Sequence, residues 1–299
     1  MRKLMKWIGR SMVAVVLLLA VGLVAVYLLS EQRMARVYAI EPTVPPVPVD
    51  PGAVERGLHV ATIRGCRDCH GSDMGSGTLI DDAMFARISG PNLTPGASGG
   101  VLSDVDLVRA IRHGVGRNGR SLLLMPSQEF VGLSEQDMGD LLAYLHSLPA
   151  VERTPPENRV GPIGRILLVA DQVPLLPAEH VDHAAKPEQP VVGATAEYGA
   201  YLAAACQGCH GKTFAGGHIA GTPPSWPDAA NLTPDPTGLA EWSEADLKKA
   251  LREGISRDGR PLQTEYMPVS ATKHLTDDEV SALYAYLRSV PAIASGVQQ

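Results

Sequence analysis

One uninterrupted apolar run dominates the hydrophobic pattern at the start of the chain. Met12 to Leu29 spans 18 residues without a charge, and only Gly22 and Tyr27 interrupt the aliphatic side chains. A helix of this length covers about 27 Å, close to the hydrocarbon thickness of a bilayer. Because no polar stripe gives the run a second face, it predicts a membrane-spanning helix rather than a surface helix.

The charges around this run predict its orientation. The first ten residues hold four basic side chains and no acidic one, and such a positive flank stays on the cytoplasmic side. A cleaved signal peptide is the alternative, but its apolar core normally has about 7–15 residues before a small-x-small site. Residues 30–36 contain no clean Ala-x-Ala site. We therefore expect residues 1–30 to be an uncleaved, single-pass anchor in the inner (cytoplasmic) membrane, with the rest of the chain on the periplasmic side.

A proline-dense segment follows the anchor. Residues 41–51 contain five prolines, a composition that favours extended polyproline II structure. We assign residues 31–51 to a Pro-rich linker and expect it to hold the body of the protein off the membrane.

Beyond residue 51 the pattern of polar and apolar positions occurs twice. The helical stripe of Leu141, Leu142, Leu145 and Leu148 is repeated 142 residues later by Leu283, Tyr284, Leu287 and Val290. Other blocks recur at offsets of 139 or 140 residues: Asn92–Pro95 with Asn231–Pro234, Asp106–Arg112 with Asp246–Arg252, and Arg117–Arg120 with Arg257–Arg260. The sequence therefore predicts one fold used twice, at 52–150 and 193–294, with a connector at 151–192 that is apolar enough to pack.

Helix signals agree between the copies. Each copy has two candidate N-caps with an acidic residue three positions on, Ser103 and Ser134 in the first and Ser243 and Thr276 in the second. Gly57 and Gly199 lie on the first helix of each copy, where we expect a close crossing with the last helix. No segment alternates as a strand does. The predicted fold class is all-α, with a transmembrane helix followed by two tandem helical domains.

Candidate chemistry enters with the string Cys-x-x-Cys-His, which occurs once in each copy and accounts for all four cysteines. The pattern is typical of covalent haem c attachment. Two thiols a helical turn apart can each add to a haem vinyl group, while the histidine projects its imidazole at the iron. We therefore expect two haem c groups, attached through Cys66, Cys69, Cys206 and Cys209 and ligated by His70 and His210.

Two rival readings of the cysteine pairs remain. A zinc site would need both pairs to meet in space, and a redox disulfide of thioredoxin type would need a βαβ context. Neither reading gives the two histidines a role, so haem attachment is the stronger interpretation.

The sixth iron position has a candidate ligand in each copy. Met125 and Met267 both follow a Gly-Arg turn and precede a proline. The usual role of methionine is to fill gaps in the core, but occurrence at matched positions favours axial ligation. Met74, Met84 and Met138 have no methionine counterpart in the second copy, and we expect them in the core or at the surface.

Several other residues are placed near the predicted iron sites. A backbone carbonyl near Pro91 or Ala230 could accept the histidine Nδ1 proton and fix the ring. Arg120 and Arg260 could pair with haem propionates or lie in solvent. Seven other histidines do not recur between the copies, and we expect them at surface or loop positions: His59, His113, His146, His180, His183, His218 and His274.

The combination of motifs resembles a known family. The Cys-x-x-Cys-His string, the Asn-Leu-Thr-Pro block, the Gly-Arg turn, the Met-Pro pair and the Tyr-Leu-x-Ser-x-Pro helix resemble the class I cytochrome c fold. Their tandem arrangement behind an anchor is similar to membrane-anchored dihaem cytochromes c related to cytochrome subunits of bacterial alcohol and sugar-acid dehydrogenases. Those subunits usually carry three haem strings, whereas this chain has two. The resemblance implies two His/Met-ligated haems that pass single electrons toward a respiratory chain.

Charge narrows the expected partners. The net charge is −6 although the first 30 residues carry only basic side chains, so the remainder is acidic. Such a surface argues against nucleic-acid binding and fits docking of redox partner proteins, an electron donor and an acceptor. We therefore expect an electron-transfer protein rather than an enzyme. A dihaem peroxidase would need one iron open to substrate, and a purely structural anchor subunit is a third alternative.

Overall fold

The computed structural model describes residues 2–96 and 100–295, apart from the side chain of Arg2. Its first helix, α1, is Arg2–Met34, and its last turn extends into the segment assigned to the linker. Within the described ranges, α1 alone is long and apolar enough to cross a membrane. Most of its large apolar side chains from Leu4 to Leu29 are exposed, and Tyr27, near the end of this stretch, contacts Arg165.

The remaining elements alternate short helices with loops. The first copy contains the helices α2 Ala53–Ile63, α3 Cys66–His70, α4 Asp104–His113, α5 Ser127–Phe130 and α6 Glu135–His146. The connector contains α7, Pro162–Val169, and a 3₁₀ turn at Pro177–Glu179. The second copy contains α8 Ala196–Ala203, a 3₁₀ turn Ala204–Cys206, α9 Gln207–His210, α10 Glu244–Glu253, α11 Val269–Thr272 and α12 Asp277–Ser289.

A small sheet corrects the all-α prediction, although the protein is mostly helical. Strands β1, Gly77–Asp82, and β2, Ala86–Gly90, form an antiparallel hairpin, and β3, Arg159–Val160, pairs with the outer edge of β2. Alternation did not reveal β2 because four of its five residues are buried, and a strand packed on both faces does not alternate. In the matching region of the second copy, an isolated bridge joins Gly217 to Ala229.

Both copies cross their first and last helices at a glycine, as predicted. A Cβ atom at Gly57 would overlap the carbonyl oxygen of Asp140 and approach Tyr144 Cβ to 2.8 Å. At Gly199 it would overlap the carbonyl oxygen of Ala282 and approach the Cβ of the corresponding tyrosine of α12 to 2.8 Å. The absence of a side chain therefore sets how closely α2 packs on α6 and α8 on α12.

The predicted N-caps are also confirmed. Ser103, Ser243 and Thr276 form complete capping boxes, and the Ser134 hydroxyl accepts a hydrogen bond from the Asp137 N–H. Helices α4 and α10 end at Gly114 and Gly254, whose φ values of 64° and 65° suit glycine.

Two apolar clusters hold these elements together. The larger joins both copies and includes Val60 and Leu142 from the first and Leu202 and Leu283 from the second. The smaller lies between the hairpin and the connector and includes Ile88, Leu168 and Leu175. The connector therefore packs against the body, as its composition predicts.

The proline-rich segment does not act as the free spacer that we expected. The N–H of Tyr38 donates to the carbonyl of Gly119 (2.8 Å), and Arg109 Nε donates to the Ile40 carbonyl (2.7 Å). Val44 and Val47 pack against the larger cluster. Polyproline II structure leaves its backbone groups free for such contacts, so the segment lies along the first copy.

Candidate haem sites

Each Cys-x-x-Cys-His string forms a short helical turn that follows the first helix of its copy. The first string is α3 itself, and the second runs through the 3₁₀ turn into α9. Both turns end at a glycine with positive φ, Gly71 at 82° and Gly211 at 77°. The chain then turns sharply, and the N–H groups of Ser76 and Gly216 donate to the histidine carbonyls at 2.9 and 3.0 Å.

The two histidines are buried and held by equivalent backbone carbonyls. His70 Nδ1 lies 3.0 Å from the Pro91 carbonyl oxygen, and His210 Nδ1 lies 2.8 Å from that of Ala230. These are the two carbonyls anticipated from the sequence. A proton on Nδ1 donates to the carbonyl and leaves Nε2 with its lone pair, which is the arrangement expected for a metal-ligating histidine.

Burial also sets the charge state of these rings. It lowers the pKa of both His70 and His210, while the hydrogen bonds to the two carbonyls act in the opposite direction. The imidazoles are therefore neutral near pH 7, and the neutral form is the one that can bind a metal.

An asparagine and a threonine clamp each carbonyl-bearing loop to the segment after the last helix. Asn92 Nδ2 donates to the Val151 carbonyl (2.8 Å), and Asn92 Oδ1 accepts from the N–H and hydroxyl of Thr94. In the second copy, Asn231 Nδ2 donates to the Ile293 carbonyl (2.7 Å) and its Oδ1 accepts from Thr233 in the same way. The recurrent Asn-Leu-Thr-Pro block therefore fixes the loop that orients each histidine.

The two cysteine pairs do not form a shared zinc site among the described residues. Burial raises the pKa of Cys66 to about 12 and that of Cys206 to about 11, and it also raises the pKa values of Cys69 and Cys209. Throughout residues 2–96 and 100–295, no three His, Cys, Asp or Glu side chains are grouped as metal ligands. The two cysteine pairs thus do not meet as a shared zinc site requires.

Met125 and Met267 occupy matched positions at the start of a short helix. Each is half-buried against the larger cluster, and its carbonyl accepts a hydrogen bond from the N–H two residues on, at 2.8 Å for Ser127 and 2.7 Å for Val269. Met74 and Met138 are core residues, whereas Met84 is 53 % exposed. Axial ligation by Met125 and Met267 stays a prediction.

The two strings also contact the opposite copy. Ser270, in the helix after Met267, lies with its hydroxyl 3.3 Å from Asp68 of the first string. Glu129, in the helix after Met125, lies so close to Gly208 of the second string that a Cβ there would overlap its carboxylate. The segment after each methionine therefore packs against the haem string of the other copy.

Glu129 and Arg64 are the charged groups at this junction that sequence reasoning missed. Burial raises the pKa of Glu129 to about 7, and the nearby Arg64 opposes the rise. Arg64 is 8 % exposed, lies over the Tyr201 ring at 4.7 Å and donates to the Leu202 carbonyl at 3.3 Å. The sequence offered only their positions relative to the predicted site residues. Arg64 is two residues before Cys66, and Glu129 is four residues after Met125.

A buried tyrosine completes the junction. The Tyr201 hydroxyl donates to Asp137 Oδ2 at 2.5 Å and accepts from the Ser134 N–H at 3.1 Å. Burial raises the pKa of Tyr201 to about 12, so this hydroxyl keeps its proton. Together with the His59–Glu279 contact of 2.8 Å, these bonds join the two copies.

The remaining predicted positions have varied outcomes. Arg120 and Arg260 are exposed, and Arg260 pairs with Asp258 at 2.5 Å. The surface prediction was wrong for His113, which is buried with Nδ1 3.2 Å from His183 Nδ1. Burial and the neighbouring His183 lower the pKa of His113 to about 4, so this pair is not doubly charged at neutral pH.

Two buried, carbonyl-oriented histidines, each directly after a cysteine pair, are the arrangement expected at haem c attachment sites. The Cytochrome c family matches residues 196–291, so the second copy contains a cytochrome c domain. Over most of its length the chain is similar to cytochrome c subunits of dehydrogenases and to a dihaem cytochrome c.

Three relatives illustrate this similarity. The gluconate 2-dehydrogenase cytochrome c subunit of Pantoea cypripedii is 29 % identical over 80 % of this chain and 60 % of its own length. The "Diheme cytochrome c-type" protein of Cereibacter sphaeroides is 27 % identical over 81 % of this chain and 87 % of its own length. The fructose dehydrogenase cytochrome subunit of Gluconobacter japonicus is 38 % identical over 29 % of this chain and 19 % of its own length. The chain therefore spans only part of several relatives that it matches.

Proposed function

We propose that this chain is a membrane-tethered electron-transfer protein with two haem c groups on the periplasmic side of the inner membrane. Cys66 and Cys69 would hold one haem and Cys206 and Cys209 the other, in tandem cytochrome c domains at 52–150 and 193–294. When bound, haem c supplies a one-electron redox centre. The protein's own residues attach it, orient its proximal ligand and exclude water.

The observation that carries this proposal is the repeated histidine geometry. His70 and His210 each have Nδ1 within 3.0 Å of a backbone carbonyl and lie buried beside their string. Two independent copies of one geometry leave Nε2 free to bind iron twice.

The proposed sixth ligands are Met125 and Met267. Each is half-buried at the N-terminal end of a helix of matched position. A thioether on each iron would close both sites to small ligands and favour electron transfer over catalysis. This feature distinguishes the proposal from a dihaem peroxidase, which needs one open iron.

The test is carbon monoxide binding by the full-length holoprotein. Wild type should bind no CO at either ferrous haem, whereas Met125→Ala and Met267→Ala should each open one of two haems. Met84→Ala, at an exposed methionine, is the matched control and should remain closed. CO binding by wild type would overturn closed His/Met sites, and unchanged spectra in either axial variant would remove that methionine as a ligand.

A second proposal is that the chain serves as the cytochrome subunit of a dehydrogenase complex. The relatives named as gluconate and alcohol dehydrogenase cytochrome c subunits favour it. Host membranes that contain the tagged protein should then show haem reduction on addition of a sugar acid or an alcohol. If the haems stay oxidised with these substrates but accept electrons from a small reduced cytochrome, the free-carrier form of the proposal is favoured.

A further inference from the structure

Helix α7 of the connector exposes a face without polar side chains. Its exposed positions are Pro162, Ile163 and Ile166, followed by Ala170 just beyond its end. Ile163 is 45 % exposed and Ile166 43 %. Surface helices normally place charged residues on such a face, so this arrangement indicates an apolar surrounding.

The one charged side chain of α7 is used to dock the helix on α1. Arg165 Nη1 donates to the Ser30 hydroxyl at 2.8 Å and pairs with Glu31 at 3.1 Å. Its guanidinium carbon lies 4.5 Å from the centre of the Tyr27 ring. One cation thus holds α7 against the end of the apolar run of α1.

A second arginine fixes the direction of α7 along α1. Arg33 Nη1 donates to the Leu168 carbonyl at 2.5 Å, and its Nη2 pairs with Glu179 at 2.5 Å. Arg165 therefore lies level with residues 27–31, and Leu168 lies level with residue 33. The N-terminal end of α7, with Pro162 and Ile163, is on the side of Arg165 that faces the apolar run.

The tip of the β1–β2 hairpin adjoins the N-terminal end of α7. The Ile163 N–H donates to the Met84 carbonyl at 2.8 Å, and Met84 is 53 % exposed. Asp82 fixes the tip by accepting from the N–H groups of Met84 and Phe85 at 2.7 and 2.8 Å. Met84, Pro162, Ile163 and Ile166 together are named the α7 patch.

We propose that the α7 patch inserts into the surface of the same bilayer that α1 spans. The lipid bilayer is the occupant because the patch is continuous with the apolar run of α1 through the Arg165–Tyr27 contact. Tyrosine and arginine are suited to the headgroup level, with apolar side chains just below it. The inference rests on the membrane anchor of the proposed function. It assigns the haem domains a fixed orientation to the membrane.

The test is nitroxide accessibility by electron paramagnetic resonance in proteoliposomes of the full-length holoprotein. Ile166→Cys would carry the label at the patch, Leu18→Cys within α1, and Val191→Cys, which is 80 % exposed as valine, at a distant apolar surface position. The haem-string thiols are consumed by attachment, so unsubstituted protein should take up no label. Labels at residues 18 and 166 should both collide several-fold more with oxygen than with a water-soluble nickel complex, and the label at residue 191 should show the reverse.

The outcomes separate the patch from the anchor. A water-accessible label at residue 166 beside a lipid-accessible label at residue 18 overturns the inference and leaves the anchor intact. A label at residue 18 that meets water contradicts the anchor itself. A label at residue 166 shielded from both reagents means that a protein covers the patch, and the lipid assignment is then wrong. An unchanged haem spectrum in each variant shows that the fold is retained.

Discussion

The first and second copies share the parts that orient a histidine and differ in what surrounds them. The carbonyl acceptors, the asparagine clamps and the glycine crossings agree closely in position and distance. By contrast, the hairpin belongs to the first copy and packs with the connector in the smaller cluster, and the proline-rich segment lies along the same copy. The shared parts define the site, whereas the unshared parts join the first copy to the connector and to the segment that follows α1.

The junction makes the two copies electrostatically unequal. The first string contains Arg67 and Asp68, and the second contains the uncharged Gln207 and Gly208. Into the space beside Gly208 the first copy inserts the carboxyl of Glu129. A similar scaffold therefore places different charges around its two histidine sites, and that is the means by which identical ligand sets acquire different potentials.

The largest loss of stability is expected from substitutions at the two helix crossings. These substitutions test whether the two copies are equivalent where their first and last helices meet. Gly57→Ala and Gly199→Ala should each lower the free energy of unfolding by about 3 kcal/mol, because the new methyl group meets a backbone carbonyl that cannot turn aside. Denaturant unfolding of the holoprotein measures both. Gly193→Ala, where the nearest atom to the new Cβ would be 3.9 Å away, should cost nothing. A variant of one copy that is as stable as wild type would show that its crossing is looser than the contacts indicate.

The next largest loss of stability is expected when an asparagine clamp is removed. Asn92→Ala and Asn231→Ala should each lower the free energy of unfolding by about 2 kcal/mol, since buried carbonyls and N–H groups lose their partners. The haem of the affected copy should also show a broadened spectrum as its histidine loses a fixed acceptor. Asn118→Ala, in an exposed turn, is the control. Equal spectra in all three variants would contradict a role of the clamp in orienting the ring.

Glu129 provides the sharpest test of the difference between the copies. Its folded pKa of about 7 exceeds that of a free glutamate, so the protonated form is favoured by folding. The contribution of Glu129 to the free energy of unfolding is therefore complete below about pH 4.3 and is lost as the pH rises through 7. Between pH 5 and pH 8, the free energy of unfolding of the wild type should fall by on the order of 1 kcal/mol relative to that of Glu129→Gln.

Denaturant unfolding at both pH values checks this expectation, with Glu188→Gln as the control because Glu188 and Glu129 line the same cavity beside Arg64. In the holoprotein at pH 8, Glu129→Gln should also raise the potential of the haem at the second string more than that of the first, because a negative charge is removed beside it. Equal shifts of both haems would contradict the placement of this carboxyl.

The smallest effect is expected at Arg260. This side chain is 79 % exposed and pairs with Asp258, and exposed ion pairs contribute little. Arg260→Ala should change the free energy of unfolding by less than about 0.5 kcal/mol and should leave both haem potentials unaltered. A shift in one potential would instead indicate that this arginine binds a propionate.

Local signals in the sequence predicted much of the repeated scaffold. The N-caps and the crossings at Gly57 and Gly199 depend on neighbours a few residues away or on one missing side chain. The carbonyl acceptors near Pro91 and Ala230 could be anticipated because the Asn-Leu-Thr-Pro block recurs at a fixed distance from each string.

Contacts between distant segments could not be predicted in this way. Strand β3 pairs with β2 across some 70 residues of sequence, and His113 is buried by His183 over the same separation. The proline-rich segment has the composition of a spacer, yet its free backbone groups bind the first copy. The position of Glu129 four residues after Met125 did not reveal its role, because that role depends on contact between the two copies.

The asparagine clamps also impose an order in time. The first clamp closes on the backbone of residues 151–153, about halfway along the chain, so the first histidine can be oriented while the second copy is still being made. The second clamp closes on Ile293, and Thr237 of the same loop is held by Ser295. A protein that ends before these residues would retain the second Cys-x-x-Cys-His string but lose the contact that steadies its imidazole, so the second site is completed only when nearly the whole chain has been made.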